Sequence, residues 1–245
     1  MLTVTSSQNP TIKLIRSLSD KKNRQATGLF VAEGDKVLDR ARAEGWEPAY
    51  LLSTVASNAW GKAALLRVDD KVMAAVSSQR NPPPTIGVFH QRWSNDVRRE
   101  GVWVALENMR DPGNLGTIIR TADAAGAAGV ILVGQSCDPW GPDCVRATMG
   151  SIFGVSLVKM NLEAFLALCR NWPGDIVGTH LRAVEGYRRS YKSPTLFVMG
   201  SEGEGLSEAA AAACSKLVRI PMTGGAESLN VATATALMLY ETVKA

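Results

Sequence analysis

The sequence predicts an α/β protein, on three observations. From Val102 onward, short apolar runs alternate with stretches whose apolar residues recur every three to four positions. That alternation is the pattern of a parallel sheet covered by helices on both faces. A smaller alternation of the same kind occupies residues 1–90. Glycine-rich turns follow several of the later runs, at the strand ends where open α/β sheets place ligands.

The elements are expected as follows. Residues 28–33 read as a strand, 36–44 as a helix and 49–52 as a strand. Residues 58–62 read as a short helix, 65–68 as a strand, 70–77 as a helix and 86–89 as a strand closing the first unit. The polar run 91–100 reads as a linker, so 1–90 and 101–245 are expected to be separate domains, with 91–245 soluble by itself. Residues 102–106 are strand-like, and Leu115, Ile118, Ile119, Ala122 and Gly126 then lie along one side of a helix. Further strands are expected at 130–133, 176–178, 195–199 and 217–220, an alanine-rich helix at 209–213 and a final helix at 231–243.

Composition narrows the class. The chain has 245 residues, 46% of them hydrophobic and 20% charged, the balance of a globular protein with a substantial core. No apolar run approaches a membrane span, and the N-terminus lacks the basic-then-apolar order of a signal peptide. Four cysteines without a Cys-x-x-Cys pair, and only two histidines, argue against a structural metal site. A reducing cytoplasm is the simplest compartment. The net charge of +4 is compatible with nucleic acid without demonstrating it. Its distribution is more specific. Lys13, Arg16, Lys21, Lys22 and Arg24 share a span with one acid, Asp20, and Arg182, Arg188, Arg189 and Lys192 form a second cluster. Each is either a solvated face or a set of phosphate contacts.

Three segments carry chemistry. In the first, Asn114, Gly116 and Arg120 follow the turn Asp111-Pro112-Gly113. Arg120 falls outside the apolar stripe of its helix, so a core role does not explain it. Asn114 either caps that helix or points its side chain into a site. In the second, Gly200-Ser201-Glu202-Gly203-Glu204-Gly205 places three glycines in six positions after a buried strand, which allows close approach of a ligand to backbone. In the third, Ile220-Pro221-Met222 precedes Ser228-Leu229-Asn230-Val231, where Ser228 or Asn230 either caps the last helix or faces a site. The turn at Gly113–Gly116 is not the Gly-x-Gly-x-x-Gly dinucleotide fingerprint, so an oxidoreductase is poorly supported.

Together these segments resemble the motifs of the SpoU (TrmH-like) family of RNA ribose methyltransferases, within the SPOUT superfamily. A fourth stretch, Val145-Arg146-Ala147-Thr148-Met149-Gly150-Ser151, is also family-like, with Thr148 where serine is usual. The resemblance implies a small L30e-like RNA-binding domain, similar to a protein of the large ribosomal subunit, followed by a knotted trefoil methyltransferase domain with a parallel sheet. It implies S-adenosyl-L-methionine as cofactor, held by Met199, Gly200, Gly203, Gly205, Ile220, Met222, Ser228 and Leu229. It implies Arg120 as the group acting on the ribose hydroxyl, with Asn114, Glu202, Ser228 and Asn230 orienting it and the ribose. RNA contacts are expected at Lys13, Arg16, Lys21, Lys22, Arg24 and Arg146, a homodimer through the catalytic domain, and no metal. Because arginine stays protonated, Arg120 is read as a phosphate and alkoxide ligand, or as a transient base. Ribosomal RNA is the first expected substrate and transfer RNA the second. Methylation of a base, or a non-catalytic RNA-binding assembly role, are the other classes.

Overall fold

The computed structural model describes residues 2–56, 58 and 60–243. They fall into two compact units, one formed by the residues up to Arg92 with Asp138–Gly154, the other by Trp93–Cys137 with the remainder.

In the first unit the elements are β1 (Leu2–Val4), α1 (Pro10–Ser17), α2 (Lys21–Thr27), β2 (Leu29–Glu33), α3 (Asp35–Ala43), β3 (Tyr50–Ser53), β4 (Ala64–Val68), α4 (Asp70–Val76) and β5 (Thr85–His90). Residue 59, within the short helix expected at 58–62, lies outside the described residues; Gly61 and Lys62 form a turn. The five-stranded sheet has the order β1-β4-β3-β5-β2. β1, β4 and β3 are parallel and β5 runs antiparallel to both its neighbours. Helices α1 and α2 are additions to the expected elements; each is only two turns long, too short for periodicity to signal. Their caps are nevertheless regular: Asn9 accepts from Thr11 N, and Asp20 from Lys22 N.

The second unit begins with residues 93–100, which are not a loose tether: Ser94 N donates to Leu157 O and Val97 is buried in the core. Then come β6 (Val102–Glu107), α5 (Pro112–Ala124) and β7 (Gly129–Val133). Helix α6 (Pro142–Ala147) belongs to the first unit. β8 (Ser156–Met160), α7 (Leu162–Arg170), β9 (Ile176–Thr179), β10 (Glu185–Gly186), β11 (Thr195–Met199), α8 (Glu208–Ala213), β12 (Lys216–Arg219) and α9 (Val231–Tyr240) complete the second. All pairings in this seven-stranded sheet are parallel, in the order β10-β12-β9-β11-β6-β7-β8. One face packs Trp103, Ala105, Ile131 and Val198 against Phe165, Cys169 and Ala210 of α7 and α8. The alternate residues of the strands point to the other face, where α5 lies against α9.

The segment Asp138–Gly154 departs from the expected two-domain division. Its Trp140 and Phe153 join Phe30, Trp46 and Phe89 in an aromatic core, with ring centroids 4.7 Å apart for Phe30–Trp140 and 5.0 Å for Phe89–Phe153. Trp46 Nε1 donates to Phe153 O at 2.9 Å. Sequence order assigns these residues to the catalytic part; burial of large aromatic surface places them with the first unit.

Candidate active site

The strand order reverses between β6 and β11, and this is where an open parallel sheet leaves a crevice beyond its carboxyl ends. The first motif follows β6, the second follows β11 and the third follows β12. A cleft of about 780 Å³ opens among them, within the size range of small-ligand sites. Met199, Gly200, Gly203, Gly205, Ile220, Met222, Ser228 and Leu229 all line it, as do Asn114, Glu202 and Asn230. The fold therefore brings together every expected cofactor contact, with four of the five residues expected to act in the reaction.

Asn114 is not the cap of α5. Asp111 is, accepting from Asn114 N at 2.6 Å. Pro112 occupies the first helical position, where its missing N–H costs nothing, so the cap is the residue just before it. Asn114's side chain is thereby released to the cleft. Its Nδ2 donates to Glu202 Oε1 and its Oδ1 accepts from Asn230 Nδ2 at 2.9 Å. Asn230 does cap its helix: its Oδ1 accepts from Ala232 N and Thr233 N. Those two amides fix which way the Asn230 amide faces. That in turn presents Nδ2 to Asn114 and leaves Asn114 Nδ2 for the carboxylate. The polar chain from α9 to Glu202 is thus oriented by a helix end.

The glycines act differently from one another. A Cβ on Gly200 would lie 2.0 Å from Gly205 C, so the missing side chain of this glycine serves a crossing of the chain over itself. Gly203 and Gly205 have φ of 146° and 72° with nothing within 4 Å of an added Cβ. Their backbones are held in glycine conformations facing open space. The site thus has room, apolar walls from Met199, Ile220, Met222 and Leu229, and exposed backbone at strand ends. That is a fit for S-adenosylmethionine.

Arg120 stands apart. It is exposed on α5, about 9 Å along the axis from Asn114 by helix rise, and is not among the cleft's walls. Thr179, His180 and Leu181 also line the cleft and are not among the expected site residues; their sequence signal is weak, no more than a place after a buried strand. Arg182, expected in the second basic cluster as a solvated residue or a phosphate contact, lines it too. In the second basic cluster, Arg189 pairs with Glu185 and Arg188 lies over the Tyr187 ring, so both are engaged locally.

Among the RNA contacts expected in the first unit, Lys13, Arg16, Lys21 and Lys22 are exposed or partly so. Arg146 is exposed and paired with Asp143. Arg24 is a correction: it is 5% exposed, bridges to Asp138 at 2.8 Å and donates to Leu18 O and Ser19 O. A buried guanidinium turned onto an aspartate and two backbone carbonyls is not presented to a phosphate.

Cys169 and Cys214 are inert at neutral pH, because burial pushes their thiols up to about 11 and about 12. Among the described residues no group of three or more His, Cys, Asp or Glu is placed to hold a metal, and no helix is long and apolar enough to cross a membrane.

Taken with the known proteins that the chain matches, the fold and cleft give the class: an α/β methyltransferase that takes its methyl group from S-adenosylmethionine. A model of the SpoU rRNA Methylase family matches residues 101–240, and one of the MRM3-like substrate binding domain matches 9–87. The chain belongs to the SpoU family. It is similar to the 23S rRNA (uridine(2479)-2'-O)-methyltransferase of Streptomyces viridochromogenes, at 30% identity over 93% of this chain and 86% of that one. It is also similar to the 23S rRNA (guanosine(2553)-2'-O)-methyltransferase RlmP of Bacillus subtilis, at 28% identity over 98% of each. The crystal structure of an AdoMet-bound rRNA methyltransferase from Sinorhizobium meliloti matches with a TM-score of 0.90 and 42% identity, over 98% of this chain and 96% of that one.

Proposed function

We propose that the chain methylates a ribose 2′-hydroxyl in ribosomal RNA, using S-adenosylmethionine. The observation that carries this reading is the oriented chain Asn230–Asn114–Glu202 at a cleft of cofactor size. The sulfonium supplies a methyl group already activated for transfer, so alignment and loss of a proton remain for the protein. The backbones of Gly200, Gly203, Gly205, Ile220 and Leu229 would hold the cofactor, with Met199, Met222 and Ser228 closing around it. Asn114, Glu202 and Ser228 hold the ribose hydroxyl in line. Arg120, with its permanent charge and exposed position, binds the neighbouring phosphate and stabilises the developing alkoxide. The proton passes to phosphate or water, since a guanidinium is a poor base.

The same reading assigns the first unit to RNA capture, through Lys13, Arg16, Lys21 and Lys22, with Arg146 as a further contact. It includes a homodimer through the second unit, the trefoil knot expected from the family, and a cytoplasmic location with the ribosomes. Support comes from the exposure of those lysines and arginines and from the ribosomal RNA named for the relatives.

The test is transfer of a radioactive methyl group to ribosomal RNA followed by alkaline hydrolysis. Alkali-resistant labelled dinucleotides are expected, because a methylated 2′-oxygen cannot attack the adjacent phosphate. Label in mononucleotides would indicate base methylation and overturn the ribose assignment. Cofactor and RNA binding without transfer would indicate an assembly role.

A further inference from the structure

Glu107 is a carboxylate at the end of β6 that the cleft chemistry leaves unused. It is 3% exposed, and among the described residues no cation is paired with it. Its charge is met instead by two donors from one residue: Ser207 N at 2.8 Å and Ser207 Oγ at 2.6 Å. A buried carboxylate kept by two hydrogen bonds is costly to disturb, so its geometry is informative.

Ser207 reaches Glu107 because of how the second motif folds. Met199 pairs with Leu106 across β11 and β6, so Gly200 and Glu107 are the next residues on neighbouring strands. Gly200 has no side chain, and Gly205–Leu206 backbone crosses directly over it, 2.0–2.3 Å from where a Cβ would lie. Ser201 and Gly205 exchange backbone hydrogen bonds at 3.1 Å in each direction, closing the turn at its base. The exit of the turn is then fastened to Glu107, while Ser207 Oγ also accepts from Ala210 N to cap α8. Glu202 sits at the tip of that closed turn and meets Asn114, seven residues beyond Glu107 in the chain.

We propose that Glu107 is a positioning residue for the methyl-donor site: it clamps the exit of the 200–206 turn to the strand that leads to Asn114. The clamp sets the spacing between the first and second motifs and holds the glycine backbone where the donor binds. The inference rests on the cofactor reading of the cleft and is independent of which RNA is methylated.

Glu107→Gln tests it. The amide keeps the size and one acceptor oxygen but turns an N–H toward one of Ser207's donors. Amide exchange at 201–206 should speed up about tenfold or more and S-adenosylmethionine should bind about tenfold more weakly, the loss expected for one hydrogen bond to a charged group. Ser207→Ala, which keeps the Ser207 N–H bond to Glu107, should do the same in part and add little to Glu107→Gln in these two readouts, while its separate loss of the α8 cap lowers the melting temperature. Val158→Ala, a core truncation on β8 at the far side of the sheet, should lower the melting temperature while leaving exchange at 201–206 and donor affinity within about twofold, as distant sites act independently. Unchanged exchange in Glu107→Gln overturns the clamp, whatever the cleft binds. Faster exchange with unchanged donor affinity overturns the positioning role, as does an equal loss in Val158→Ala. Should Glu107→Gln fail to fold, Ser207→Ala carries the same two readouts. Wild-type protein that binds no S-adenosylmethionine would fault the cofactor reading, while exchange still judges the clamp.

Discussion

Asn230 does two jobs with one amide, and they can be separated. Its oxygen caps α9 and its nitrogen reaches Asn114. Asn230→Asp keeps the cap and loses the donor, so it should melt close to wild type but turn over at least tenfold more slowly. Asn230→Ala loses both and should also cost about 1 kcal/mol of stability. Thermal melts beside single-turnover rates would separate these; equal rates for Asn230→Asp and wild type would remove the amide from the reaction. Arg120→Ala poses a different question, because Arg120 lies outside the cleft walls. It should bind S-adenosylmethionine normally and lose roughly 10²–10³ in rate, the scale of one electrostatic interaction with a developing oxyanion. Near-normal turnover on a verified RNA would reject that role. Gly200→Ala is expected to destabilise rather than to block a ligand, since its methyl group would meet backbone. A loss of about 1–3 kcal/mol, seen as a lower melting temperature without ligand, is the overpacking range. An unshifted melt would contradict the crossing.

At the scale of elements, the first two helices divide their cations. Lys13 and Arg16 on α1, and Lys21 and Lys22 on α2, reach solvent, whereas Arg24, also on α2, is buried against Asp138. Replacing the four solvent-facing residues by Gln should weaken RNA binding and flatten its salt dependence, by about one unit of log–log slope for each phosphate that is no longer neutralised. Identical slopes for variant and wild type would reject the recruitment role. Arg24→Gln should instead leave the slope unchanged and cost on the order of 3 kcal/mol, as expected when one partner of a buried ion pair is removed. One span of sequence thus contains both a solvent-facing set of cations and a structural ion pair.

At the scale of the molecule, the second unit as read from the sequence cannot be cut out cleanly. A chain of residues 91–245 would keep the seven-stranded sheet but strip Trp140 and Phe153 of Phe30, Trp46 and Phe89. Such a fragment is expected to aggregate, contrary to the expectation of a soluble catalytic domain. A monodisperse, folded fragment in gel filtration and circular dichroism would show that this aromatic core is dispensable.

The parallel α/β class of the second unit, most of its strands along the chain and most of the residues of the cleft are legible in the sequence, whereas β8, α7 and the order of strands in the sheet are not. Period and turn chemistry are local, and Asn114, Glu202, Ser228 and Asn230 stand in local motifs. Most of what is not legible depends on distant partners. The cap of α5 is an exception: Asp111 rather than Asn114 fills it because Pro112 sets the helix start, and that signal is local. Arg24 gives no local sign that Asp138, 114 residues away, buries it. Gly200 has the appearance of a ligand turn, but its reason is the backbone of Gly205 crossing over it. The apolar stripe of a helix can be counted from spacing, whereas the neighbour that fills a buried hydrogen bond or aromatic cluster is chosen only when the strands are laid side by side. Sequence therefore determined most of the residues that line the cleft; tertiary packing decided how they are held, because burial and hydrogen-bond pairing are settled between elements rather than within them.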